Sequence, residues 1–162
     1  MLRIAVIGPG AASLYLAAQL GTRLSVLTPA GRGFGRVAAR LRALALEPLL
    51  ASVRGIGLSV MDLAQQRPGA LEKATKAARS AVEQDGADIL VLGCMSMAFL
   101  PGICETLSEG VGVPVVNPVI AALKTAEMVA GMSLAHSKIA YPVPRPIVAG
   151  SISPEAAKGE WR

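Results

Sequence analysis

Asp88-Ile-Leu-Val-Leu-Gly-Cys-Met-Ser-Met-Ala98 is the stretch that decides the fold. Ile89, Leu90, Val91 and Leu92 are consecutive apolar residues between an acid and a glycine. A short unbroken apolar run suits a strand covered on both faces, as in a parallel sheet. Gly93 and Cys94 follow at its carboxyl end, ahead of a short helix. In open α/β sheets ligands bind beyond the carboxyl ends of the strands, so Cys94 stands where chemistry occurs. A helix N-terminus offers unpaired N–H groups and partial positive charge, which favour a thiolate over a thiol. Free cysteine is also a common core residue, and burial is the competing reading of Cys94.

On either side of this strand, apolar runs alternate with helical periods. Upstream, Leu2–Ile7 reads as a strand ending at Gly8-Pro9-Gly10, and Ala11–Leu20 as a helix with Leu14, Ala17 and Ala18 on its inner face. Leu24–Leu27 reads as the next strand. A helix over Phe34–Leu46 turns Val37, Leu41 and Leu44 inward and its arginines outward, with Pro48 as its limit. Val53–Val60 is a third extended segment, and Gly55 and Gly57 predict that it is irregular or an edge. Pro68-Gly69 opens a helix over Ala70–Gln84. Downstream of Cys94, the short helix is interrupted at Pro101-Gly102, Val113–Val116 forms another strand, and Asn117-Pro118 starts a helix to Val129. From Ser133 on, with Pro142, Pro144, Pro146 and Pro154, the tail reads as extended wrapping. The pattern predicts an α/β fold with a mostly parallel sheet and flanking helices.

The chain of 162 residues is 52% hydrophobic and 17% charged, which excludes a disordered protein and suits one core. No apolar run reaches the ~20 residues of a membrane span. Met1-Leu-Arg-Ile-Ala-Val-Ile runs straight into the Gly-Pro-Gly turn, unlike a secretory signal, and Cys94 and Cys104 form no disulfide framework. A reducing cytoplasm is the expected location. One histidine and no Cys/His cluster argue against a metal site. The net charge of +5 raises nucleic acid as a partner, but arginines are dispersed and aromatics are only 3%, so no stacking platform exists. Arg32, Arg36, Arg40 and Arg42 are the densest basic group, and a solvated helix face is the expected reading. His136 is expected at the surface of the tail.

Val6-Ile-Gly-Pro-Gly-Ala-Ala-Ser13 has the strand–turn–helix context of a dinucleotide fingerprint. Ser13 replaces its third glycine, and no acid follows the second strand to hold a ribose, although Arg32 is placed to meet a 2′-phosphate. A tight turn needing small residues for close packing is the alternative.

Gly86-Ala-Asp-Ile-Leu-Val-Leu-Gly-Cys-Met-Ser-Met-Ala98 and Gly112-Val-Pro-Val-Val-Asn-Pro-Val-Ile-Ala-Ala-Leu-Lys-Thr-Ala-Glu127 resemble the aspartate/glutamate/hydantoin racemase superfamily, and most closely its hydantoin racemase branch. The resemblance continues in Leu24–Thr28, in Val53–Leu63 and in the tail after Ser137-Lys138. It implies two α/β lobes facing across a cleft, each giving one cysteine to opposite faces of a substrate α-carbon, without a cofactor. Cys94 matches the cysteine of the second lobe. Gly93 and the backbone at Met95 and Ser96 match the turn that holds the substrate carbonyl or carboxylate, and Thr28 matches a cleft hydroxyl. Met95, where aspartate and glutamate racemases carry Thr, favours the hydantoin branch. Thr28-Pro29-Ala30 lacks the tyrosine of some decarboxylase and isomerase relatives, but the decarboxylases use only the second-lobe cysteine, so the resemblance leaves a one-cysteine chemistry open.

On this resemblance residues 1–22 are the end of a first lobe and its crossover helix, 23–130 the racemase-like lobe, and 131–162 the proline-rich tail. Nothing matches the first lobe's opening strands or its cysteine, so the chain is expected to be a shortened racemase-like protein with one catalytic cysteine, in which racemisation fails even if the first proton transfer survives, and which is prone to form homo-oligomers. Cys104, beyond Pro101-Gly102, is expected to be buried. The expected partner is a small molecule, a hydantoin or amino-acid derivative, with Met95, Met97 and Phe99 as an apolar surround. Two alternatives stay open: a non-catalytic small-molecule-binding domain, and an NADP-binding domain built on Gly8 and Gly10.

Overall fold

The computed structural model describes residues 5–30, 33–65 and 68–142. Four strands, β1 (Leu24–Thr28), β2 (Leu50–Gly55), β3 (Ile89–Leu92) and β4 (Val115–Val116), form one sheet in the order β2-β1-β3-β4, and every pairing is parallel. The helices are α1 (Pro9–Leu20), α2 (Phe34–Ala43), α3 (Val60–Ala64), α4 (Ala70–Glu83), α5 (Met95–Ala98), α6 (Ile103–Val111) and α7 (Pro118–Gly131), with a 3₁₀ turn at Glu47–Leu49.

All of β1 and β3 is buried because the sheet is covered twice. Leu24, Val26, Ile89 and Val91 pack with residues of α1, α2 and α7 on one face. Leu27, Leu90 and Leu92 pack with α3, α4, α5 and α6 on the other. Five alanines of α4, from Ala70 to Ala81, are buried there, and their small side chains let the helix lie close on the strands. The strand order reverses between β1 and β3, so their carboxyl ends, Thr28 and Gly93, flank the crevice where such sheets bind ligands.

Asp88 fixes the start of this pair. Its carboxylate accepts the backbone N–H groups of Thr22 and Arg23 at 3.0 and 2.8 Å and the Thr22 hydroxyl at 2.7 Å. Burial pushes this carboxyl up, but those donors outweigh it and hold it below its ordinary value. Gly21 is required beside it, since a Cβ there would stand 2.6 Å from an Asp88 oxygen and 2.9 Å from Ile89 Cβ.

Several expectations need correction. The described part of the expected first strand, residues 5–7, joins no ladder. Val6 instead meets His136, whose Nε2 lies 2.9 Å from the Val6 nitrogen and 3.0 Å from its oxygen. A dinucleotide fingerprint needs a sheet strand at that point, and among the described residues the Gly8-Pro9-Gly10 turn has none. The third extended segment is an edge strand as expected, but it begins at Leu50, and residues from Val60 form α3. A capping box starts that helix: Ser59 accepts the Asp62 N–H while Asp62 accepts the Ser59 N–H. α2 ends at Ala43, where Ala45 takes a positive φ, and β4 is only two residues long. The tail turns at Ser137–Tyr141, and Pro144, Pro146 and Pro154 lie outside the described residues.

Candidate active site

Cys94 stands directly beyond β3, as the N-cap of α5, with an extended backbone and a half-buried side chain. Its carbonyl accepts the N–H of Met97 at 3.1 Å, which closes the single turn of α5. Four residues make a small dipole, so the helix contributes less positive charge at Cys94 than a long one would.

Gly93 brings this turn against β1. Its N–H donates to the Leu27 carbonyl at 2.7 Å. A Cβ at Gly93 would stand 2.7 Å from Val26 Cγ1, 2.9 Å from Leu27 O and 3.1 Å from Thr28 Cγ2. Only glycine lets Cys94 start its turn this close to Thr28.

Cys94, Gly93, Thr28 and Met95 line one open cavity of about 600 Å³, within the ~300–1,000 Å³ common for small-molecule sites. Its other walls come from Pro9, Gly10 and Ser13 of α1, the loop after β1, and Arg36, Val37 and Arg40 of α2. Among the described residues the lining includes no aspartate or glutamate.

Two expected roles change with this geometry, those of Thr28 and of the apolar surround. The Thr28 hydroxyl is not a free donor, because it donates to the Ala30 carbonyl at 2.9 Å. It shapes the loop after β1 and presents its remaining surface to the cavity. The Ser96 side chain does not line the cavity; it lines a smaller pocket with Leu63, Ala64 and Phe99. At Ser96 only the backbone N–H, in the first turn of α5, can serve the site. Of the apolar surround, Met95 lines the cavity, Met97 is fully buried in the core, and Phe99 lies at the smaller pocket.

Arginines on α2 form more than a solvated face. Arg42 is paired with Glu47 in solvent, but Arg36 and Arg40 are exposed on the cavity wall, and Arg32 lies outside the described residues. A sequence reading could have raised this from their spacing of four, but not which way the face points.

Cys104 sits on α6, packed against the core and away from the cavity lining. Burial pushes its thiol up, Glu105 adds to this, and the Asn117 side chain opposes it. His136 tilts against Tyr141 at 5.1 Å and holds Val6, so it ties the segment before α1 to the segment after α7 and does not line the cavity. Among the described residues no group of histidine, cysteine, aspartate and glutamate is arranged to hold a metal, and no helix is long and apolar enough to cross a membrane.

The chain matches the model of the Asp/Glu/Hydantoin racemase family over residues 1–126. It is 32% identical to the hydantoin racemase of Paenarthrobacter aurescens over 82% of this chain and 55% of that protein. It is 34% identical to the hydantoin racemase of Rhizobium meliloti over 85% of this chain and 57% of that protein. Among solved structures, an allantoin racemase from Pseudomonas fluorescens superposes with a TM-score of 0.81 at 34% identity, covering 91% of this chain and 62% of that one. The chain thus spans little more than half the length of the curated relatives it matches.

Proposed function

Because the chain belongs to the Asp/Glu/hydantoin racemase family, we propose that it acts on the α-carbon of a hydantoin or related amino-acid derivative, with Cys94 as the acid–base group and no cofactor. The observation that carries this reading is the half-buried Cys94 at the β1–β3 crevice, on the wall of a cavity of substrate size.

The Cys94 thiolate takes the α-proton: the C–H bond breaks, an S–H bond forms, and the electron pair moves onto the adjacent carbonyl oxygen. That oxygen needs fixed donors in a water-poor site. The N–H groups of Met95 and Ser96 are the candidates, since the first residues of a helix have no backbone acceptor. Thr28 acts by holding the loop after β1 through Ala30. Gly93 acts by letting the turn approach β1. A neutral ring suits this chemistry, because no carboxylate at the reacting centre resists the developing charge.

Once the Cys94 S–H has exchanged with D₂O, return of a deuteron to the same face gives isotope exchange without inversion. Inversion needs a second acid on the opposite face, and among the described residues no other cysteine lines the cavity. Self-association belongs to the same reading and is supported by exposed Leu20 on α1 and Ile120 and Leu123 on α7. Sedimentation across a wide concentration range tests it, and a monomer throughout would remove it.

The test of the chemistry is proton NMR of an enantiopure 5-substituted hydantoin in D₂O, with the protein and with Cys94→Ala, and polarimetry on the same sample. Loss of the α-proton signal only with intact Cys94 is expected. Exchange no faster than with Cys94→Ala would overturn the assignment.

A further inference from the structure

We infer that this cavity selects substrates that carry a carboxylate away from the reacting carbon, and that Arg36 and Arg40 hold it. The inference rests on the reading of the cavity as the reaction site.

Arg36 and Arg40 lie one helical turn apart on α2, and both line the cavity that contains Cys94. Arginine keeps its charge at any working pH, so the wall carries two fixed positive charges. Among the described residues no acidic side chain lines the cavity, and the first turns of α1 and α2 contain none. Among the described residues neither guanidinium has a hydrogen bond or an ion pair. Arg23, Arg42 and Arg54, by contrast, are each engaged by a local carbonyl or carboxylate.

The Arg40 guanidinium lies against the first turn of α1, where a Cβ at Gly10 would meet its Nη1. Two like charges four residues apart repel each other. A ligand carboxylate between them would relieve that repulsion and accept a planar, paired set of N–H donors. Val37, Met95 and Leu14 on the same walls are apolar, which suits an aliphatic arm joining the ring to the acid. The substrate class that fits is a hydantoin with an acidic side arm.

The test is calorimetric titration of the full chain bearing Cys94→Ala with 5-(2-carboxyethyl)hydantoin and with its carboxamide. The carboxylate should bind about three- to thirtyfold tighter at low ionic strength, the range expected of two solvent-accessible charge pairs. The preference should shrink with added salt. It should vanish in Arg36→Gln/Arg40→Gln and return in part in Arg36→Lys/Arg40→Lys. Gly10→Ala should weaken it by displacing Arg40, with no further loss when Arg40→Gln is added. Equal binding of the two ligands, no binding of either, or a preference that survives the double Gln variant would overturn the inference. Tight carboxylate binding without isotope exchange by the intact protein would instead overturn the reaction assigned to Cys94 and leave the charge selection standing.

Discussion

The side-chain amide of Asn117 donates to the Ala98 carbonyl at 3.0 Å and so joins the start of α7 to the end of the turn that carries Cys94. Its oxygen meanwhile accepts the N–H groups of Val119 and Ile120 at 2.9 and 3.3 Å as the cap of α7. One side chain therefore serves two elements. Asn117→Ala is expected to cost about 1–2 kcal/mol, as the loss of a cap and a hydrogen bond. Asn117→Asp keeps the cap and loses the donor to Ala98. Thermal denaturation should show the smaller loss for Asp, while α-proton exchange should fall in both variants.

Gly93→Ala should be among the most damaging small substitutions. The added methyl meets a backbone oxygen at 2.9 Å, which cannot rotate away. A cost of about 1–3 kcal/mol follows from overpacking, together with loss of exchange activity as the Cys94 turn moves. Gly35→Ala is the control, since a Cβ there meets nothing within 4 Å. That change should be neutral or stabilise by up to about 1 kcal/mol. Urea midpoints of the two variants check both expectations.

Acid should unfold the protein partly through Asp88. Its folded value lies below the ordinary one, so its contribution is complete above the unfolded carboxylate range and is lost as pH falls through the folded value. Asp88→Asn should cost about 1.5–3 kcal/mol near neutral pH, the worth of hydrogen bonds to a charged acceptor. Its stability should also fall less steeply in acid than that of the parent. Stability curves at several pH values between neutral and strongly acid measure both effects.

Asp85 has the same sign for a different reason. The Arg54 guanidinium, bonded to it at 2.7 and 2.6 Å, holds its carboxyl below the ordinary value against burial. The pair ties edge strand β2 to the end of α4. Arg54→Ala is expected to cost about 1–2 kcal/mol, between the values for exposed pairs and for buried charged hydrogen bonds. It should also raise the Asp85 value, which carboxyl NMR titration reads directly.

The buried strand Ile89–Leu92 and the place of Cys94 beyond it were legible because a continuous apolar run has one good use in an α/β chain. Asn117-Pro118 was legible for the same kind of local reason, a cap followed by a first-turn proline. Residues 5–7 looked like a strand because they are apolar, yet a ladder needs a partner, and Val6 has His136. α3 was hidden by its length, although Ser59 and Asp62 stand at capping-box spacing. The least legible feature was the wall formed by Arg36 and Arg40. A helical wheel places them together on α2, but only the packing of α2 beside α1 turns that face toward the cavity.

The parallel β1–β3 pair at the centre of the sheet carries a cost in folding time. Asp88 and Arg23 are 65 positions apart, and β2 and α4 must leave and return before they meet. Contacts this far apart in sequence close slowly, because the loop entropy is lost before any contact compensates for it. Both halves of the crevice, Thr28 on one strand and Cys94 beyond the other, come together only at that closure. Binding competence should therefore appear with the slowest refolding phase, after the helices have formed.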